Sequence, residues 1–104
     1  MIIVWINNII LVHLLFLKIL GNDAFKVGIL QEAYNLYTEA LNIDPLNKLV
    51  NTKLYSNKAT VCSKLKKLEE AIENCTKALE IDPNYLKALM RRAKCYTDLG
   101  KHED

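Results

Sequence analysis

Glycine and proline are scarce in this chain, 3 and 2 among 104 residues. Collagen-like, disordered and turn-rich all-β chains depend on those residues, so all three classes are excluded. The cysteines, Cys62, Cys75 and Cys95, match neither paired zinc-ligand spacing nor a two-residue redox pair, and their odd number does not close a disulfide framework. They read as small apolar packing residues in a reducing compartment. A large charge imbalance is also missing: 14 basic against 12 acidic residues leave +2 and a pI near 8.4. Such a balance gives no basic stripe of the kind that nucleic-acid binders carry. At this length the chain is one small domain, and large two-domain enzymes are ruled out.

Charge is absent altogether from residues 1–17, MIIVWINNIILVHLLFL, so all the charged side chains lie beyond them. As a membrane segment the run extends to Leu20, with Asn7, Asn8 and His13 weakening it and Lys18 nearly closing it. A signal peptide would need a positive start and a small-residue cleavage site, and Ile19-Leu20-Gly21 is a poor one. The remaining readings are a buried helix or a terminus foreign to the domain behind it.

What is present is a repeat. Glu32–Pro45 aligns without gaps on Glu70–Pro83, with eight of fourteen positions identical. The same offset of 38 pairs Leu17 with Tyr55, Gly21 with Ala59, Ala24 with Cys62 and Leu30 with Leu68. An offset of 34 then pairs Tyr55 with Leu89, Ala59 with Ala93, Cys62 with Tyr96 and Leu65 with Leu99. Within a unit, Tyr55, Ala59, Cys62 and Leu65 recur at helical spacing, and Leu68, Ala71, Ile72, Cys75, Ala78 and Leu79 do so again after Lys66-Lys67. Each unit is therefore two antiparallel helices, with small residues where they cross and Asp44-Pro45 or Asp82-Pro83 at the end. One such pair cannot hide its apolar faces, so the pairs must stack.

The pattern resembles the tetratricopeptide repeat, whose small, aromatic and proline positions match Gly21, Gly28, Ala33, Tyr37, Ala40 and Pro45. Lys66 stands where the first unit has Gly28, Cys75 where it has Tyr37, and four additional residues around Lys48–Asn51 lengthen either the inter-repeat turn or the next helix. The resemblance implies an all-α fold of helix-turn-helix repeats stacked as a short right-handed solenoid. A hydrophobic segment covers 1–16, the first repeat 17–51, the second 52–85, and residues 86–104 supply the first helix of an incomplete third. The face around Leu89, Ala93 and Tyr96 is then expected to be open. The strings GNDAFKVGILQEAYNLYTEAL, LYSNKATVCSKLKKLEEAIENCTKAL and KALMRRAKCYTDLG resemble repeats that precede the J domain in DnaJ-homolog co-chaperones, although no His-Pro-Asp motif occurs in these residues.

Co-chaperones with such repeats grip the C-terminal carboxylates of heat-shock chaperones in a groove lined by the first helices. The resemblance implies that Lys18 and Asn22, Asn57, and Lys87 and Arg91 fill those positions. Their chemistry agrees: residues four apart share a helix face, and charge-assisted bonds to a terminal Asp contribute about 1.5–3 kcal/mol each when shielded. The implied partners are the tails of heat-shock protein 70 and heat-shock protein 90 in the cytoplasm. The competing reading is a scaffold for another protein, anchored to a membrane through residues 1–20. Lys64, Lys66 and Lys67 read as a solvated turn, since Glu69 and Glu70 follow at once. No catalytic, metal or cofactor residues are assigned: neither His13 nor His102 is placed to serve a cysteine, and no phosphate loop or paired-His motif occurs.

Overall fold

The computed structural model describes residues 2–103, with side chains through Gly100; His102 therefore lies outside the described side chains. Five helices follow one another: α1 (Ile2–Lys26), α2 (Leu30–Leu41), α3 (Lys48–Lys64), α4 (Leu68–Ile81) and α5 (Leu86–Glu103). Among the described residues there is no strand. Each helix packs on its chain neighbours, and α3 also meets α1 and α5, so the three odd-numbered helices line one side of the stack. The result is an all-α solenoid of helix pairs.

Local chemistry sets the helix ends. The turn after α1 places Gly28 at φ +85, and the turn after α3 places Lys66 at φ +66. At both sites the bonding is the same. Ile29 N–H donates to the Ala24 carbonyl at 2.9 Å and Gly28 N–H to Phe25 at 3.0 Å; Lys67 donates to Cys62 at 2.8 Å and Lys66 to Ser63 at 3.1 Å. This is the Schellman arrangement, which satisfies carbonyls that a helix end would otherwise leave bare. Lys66 thus adopts the left-handed conformation that the first repeat gives to glycine.

Asp82 caps α4 in an extended conformation, φ −132 and ψ 94, as the residue before Pro83 must. Helix α2 departs from the expectation that Asp44-Pro45 would end it. It stops at Leu41, and Asn42 continues in a right-handed turn. The two Asp-Pro corners nevertheless close alike, with Asp44 Oδ1 accepting from Leu46 N and Asp82 Oδ1 from Asn84 N, both at 3.1 Å. The four additional residues enter α3 rather than the turn: Asn47 caps it, its side chain accepting from Val50 N at 3.2 Å.

The core runs between the helix pairs. Leu14, Leu17, Ala24, Ala33, Tyr37, Ala40, Leu54 and Val61 join α1, α2 and α3, while Ala59, Cys75, Ala78 and Ala88 join α3, α4 and α5. Cys62 and Cys95 lie with Leu68 and Ala71 in a third cluster, so all three cysteines are free and buried. Tyr34 Oη donates to Glu70 Oε2 at 2.5 Å, tying α2 to α4. Two stretches stay open. Ile2, Ile3, Val4 and Trp5 are more than three-fifths exposed, and Leu89, Ala93 and Tyr96 are exposed on α5.

Candidate functional site

The helices that share one side of the stack also carry the five residues singled out from sequence. Lys18 and Asn22 lie on α1, Asn57 on α3, and Lys87 and Arg91 on α5. Lys18, Asn22, Asn57 and Lys87 line one cleft of about 480 Å³. Asn57 and Lys87 also line an adjoining cleft of about 470 Å³, where Arg91 joins them. The two hollows share Asn57, Thr60 and Lys87, so Asn57 stands between the α1 and α5 donors. The five residues are spread over these two adjoining hollows, with Lys18 and Asn22 in the first only and Arg91 in the second only.

Tyr37 fixes the floor of this cleft. Its hydroxyl donates to Asn22 Oδ1, and Asn57 Nδ2 donates to the same oxygen at 3.2 Å. With its carbonyl oxygen engaged twice, Asn22 has only its N–H donors left for a ligand. Burial pushes the Tyr37 phenol up to about 12, while Asn57 pulls the other way. The proton therefore stays on the hydroxyl at neutral pH, which leaves Tyr37 able to donate to Asn22. Helix α1 reaches this ring only because residue 21 is glycine: a Cβ there would lie 2.6 Å from the Tyr37 ring.

The cleft is electrostatically one-sided. Lys26 and Lys53 line it beside Lys18 and Lys87, and no Asp or Glu lines either hollow. Of the ion pairs among the described residues, Lys58–Glu70 and Lys77–Glu73 lie outside both hollows, while Lys94, which lines the second, is paired with Asp98 at 3.5 Å; none engages Lys18, Lys26, Lys53, Lys87 or Arg91. Burial, and then the charge of Lys53, hold the Lys18 ammonium below its ordinary value. An anion entering the cleft offsets the repulsion between the two ammonium groups. Sequence reasoning missed Lys26, Lys53 and the part played by Tyr37. Four-residue spacing could have found the lysines, since Lys26 follows Asn22 and Lys53 precedes Asn57 by one helical turn.

The turn lysines behave differently. Lys67 Nζ stands 4.6 Å from the Tyr34 ring centroid and Lys64 Nζ 5.8 Å from that of Phe25. They cover aromatic faces and line neither hollow.

Comparison with known proteins places the fold. Residues 52–85 match the family pattern described as Tetratricopeptide repeat. Human DnaJ homolog subfamily C member 7 is 56% identical over 84 residues, which cover 81% of this chain but 17% of that protein. The chain thus spans about a sixth of that relative's length. The second repeat domain of Spaghetti, solved bound to the HSP90 peptide SRMEEVD, is 37% identical, with a TM-score of 0.77 over 86% of this chain and 79% of that one. The TPR2B domain of yeast Sti1, solved in a pHsp70 complex, is 28% identical, with a TM-score of 0.79 over 88% of this chain and 70% of that one. The doubled helix pair, the recurring left-handed turn and the identity to Spaghetti across most of both chains lead to one conclusion: the chain belongs to the tetratricopeptide repeat family.

Proposed function

We propose that the chain is a binding module, without catalysis, that captures the acidic C-terminal tails of heat-shock protein 70 and 90 chaperones in the cytoplasm. The observation that carries the reading is the cleft itself, where Lys18, Asn22, Asn57 and Lys87 converge with no carboxylate among its walls. A terminal Asp brings two carboxylates, and capture of a free C-terminus by clustered donors is an established mode of peptide recognition. The peptide in the Spaghetti complex ends in Asp, which agrees with this chemistry. In this reading Lys18, Asn22 and Asn57 hold one carboxylate, and Lys87 and Arg91 reach the terminal residue from α5.

The test is titration of SRMEEVD, as free acid and as C-terminal amide, against the purified chain by calorimetry. Amidation removes one charge and should abolish most of the affinity. Arg91→Ala should cost about 2 kcal/mol, near thirtyfold in Kd, for the loss of a charge-assisted contact. Lys67→Ala should change little. Equal binding of acid and amide, or equal losses for Arg91→Ala and Lys67→Ala, would remove the carboxylate clamp from consideration.

The scaffold reading, with a membrane anchor through residues 1–20, draws on the exposed apolar half of α1. Helix α1 is long and apolar enough to cross a bilayer by length and composition. Leu14 and Leu17, however, are buried in the repeat core. Residues 2–13, ahead of Leu14, give about 18 Å of helix, well short of a hydrocarbon core of about 30 Å. Full insertion of residues 1–20 would therefore compete with the packing of the first repeat.

A further inference from the structure

We infer that Lys53 is a further binding residue of the cleft, a cation that reads the side-chain carboxylate of a terminal acid and so makes the site select Asp over a neutral terminal residue. The inference rests on the carboxylate-clamp reading above. Position in the repeat supports it first. The offset of 34 that relates the second unit to the third places Lys53 over Lys87 and Asn57 over Arg91. Lys53 thus holds in α3 the place that Lys87 holds in α5, one helical turn before the residue at the meeting point of the two hollows.

Geometry supports it next. Lys53 lines the same cleft as Lys18, Asn22 and Asn57, and no ion pair among the described residues engages it. Its charge is felt at Lys18, whose ammonium is already disfavoured by burial. A single carboxylate balances one of these two ammonium charges and leaves the other without a counter-ion. A terminal residue with two carboxylates can satisfy both. The amide donors of Asn22 and Asn57 and the Lys18 ammonium suit the backbone carboxylate, and Lys53 then faces the side-chain one.

The experiment is a double-mutant cycle between protein and peptide, read by calorimetry and by association and dissociation rates. SRMEEVD is compared with SRMEEVN, both as free acids, on the unaltered chain and on Lys53→Met, which keeps the unbranched stem but not the charge. The unaltered chain should favour the Asp peptide by on the order of tenfold, the equivalent of one good charged contact. Lys53→Met should cut that preference to about threefold or less through faster dissociation of the Asp peptide, and Lys53→Arg should restore it. Unchanged thermal unfolding of the variants establishes that the fold is intact. If the preference is the same in both chains, or if Lys53→Met slows association with both peptides alike, Lys53 only steers encounter and the inference falls. The amidated peptide separates the two claims. Binding insensitive to amidation overturns the clamp and this inference together, whereas amidation-sensitive binding with an additive cycle overturns the inference alone.

Discussion

Asn22 illustrates how much of the site depends on contacts between residues far apart in the chain. Its oxygen accepts from Tyr37 and Asn57, which lie 15 and 35 positions away. No spacing rule on a single helix brings those residues together, and for that reason Tyr37 reads from sequence as a packing or groove-wall aromatic, without its hydrogen bond to Asn22. Lys53 and Lys26 were legible by spacing, yet a lone helical lysine is ordinarily solvated, and only the cleft distinguishes these two from the rest. The same burial that fixes Tyr37 has a titration consequence. Burial pushes the phenol up to about 12, the Cys62 thiol up to about 12 and the Cys75 thiol up to about 11, from ordinary values of 10, 9 and 9. Each group holds its proton more tightly folded than unfolded. The stability this contributes is complete below the unfolded values and is lost as pH rises through the folded ones. Urea midpoints should therefore hold steady up to about pH 9 and fall progressively toward about pH 12. A midpoint that stays flat across that interval would mean that these groups are not sequestered in the native state.

Helices and turns were the most legible level, because one offset of 38 carries both the sequence identity and the geometry. Gly28 and Lys66 occupy equivalent turns with the same pair of backbone hydrogen bonds. The sequence difference between them therefore concerns energy, not architecture. A left-handed residue with a Cβ costs roughly 1–2 kcal/mol relative to glycine, part of which glycine returns through its freer unfolded chain. Lys66→Gly should raise stability by about 1 kcal/mol, seen as a melting temperature several degrees higher. A lower melting temperature would mean that the lysine side chain contributes more than its backbone strain costs. The crossing points show a second exchange between repeats. Gly21 meets Tyr37 in the first, and Ala59 shares a cluster with Cys75 in the second. The larger partner in α2 is matched by the smaller residue in α1, so Cys75 in the tyrosine position is compensated by a methyl group on the facing helix. The early end of α2 was not legible, since Asp-Pro marks where a helix must have stopped, not where it stops.

At the scale of the whole molecule, charge and apolar surface are both segregated, and neither shows in an average. A net charge of +2 conceals a cleft lined by Lys18, Lys26, Lys53 and Lys87 without an acid. Tail binding should accordingly weaken with added salt, less steeply than for a protein that displaces many counterions from nucleic acid. The apolar segregation lies along α1. Composition divides the chain near residue 17, whereas the backbone runs through that point as one helix, because helix propagation does not require the face pattern to persist. The division that matters to packing lies at Leu14, the first fully buried residue. Deleting residues 2–12 should therefore leave the urea midpoint within about 0.5 kcal/mol of the parent and leave SRMEEVD affinity unchanged, while reducing self-association through the exposed Ile, Val and Trp side chains. Extending the deletion through Leu17 removes two buried leucines and should cost several kcal/mol, since each truncated core leucine typically costs about 2–5 kcal/mol. Chemical denaturation of the two truncations, with light scattering for association, separates the segments. If the shorter deletion destabilises the fold as much as the longer one, the first turns of α1 belong to the repeat core, and the apolar overhang is a part of the solenoid rather than an appendage to it.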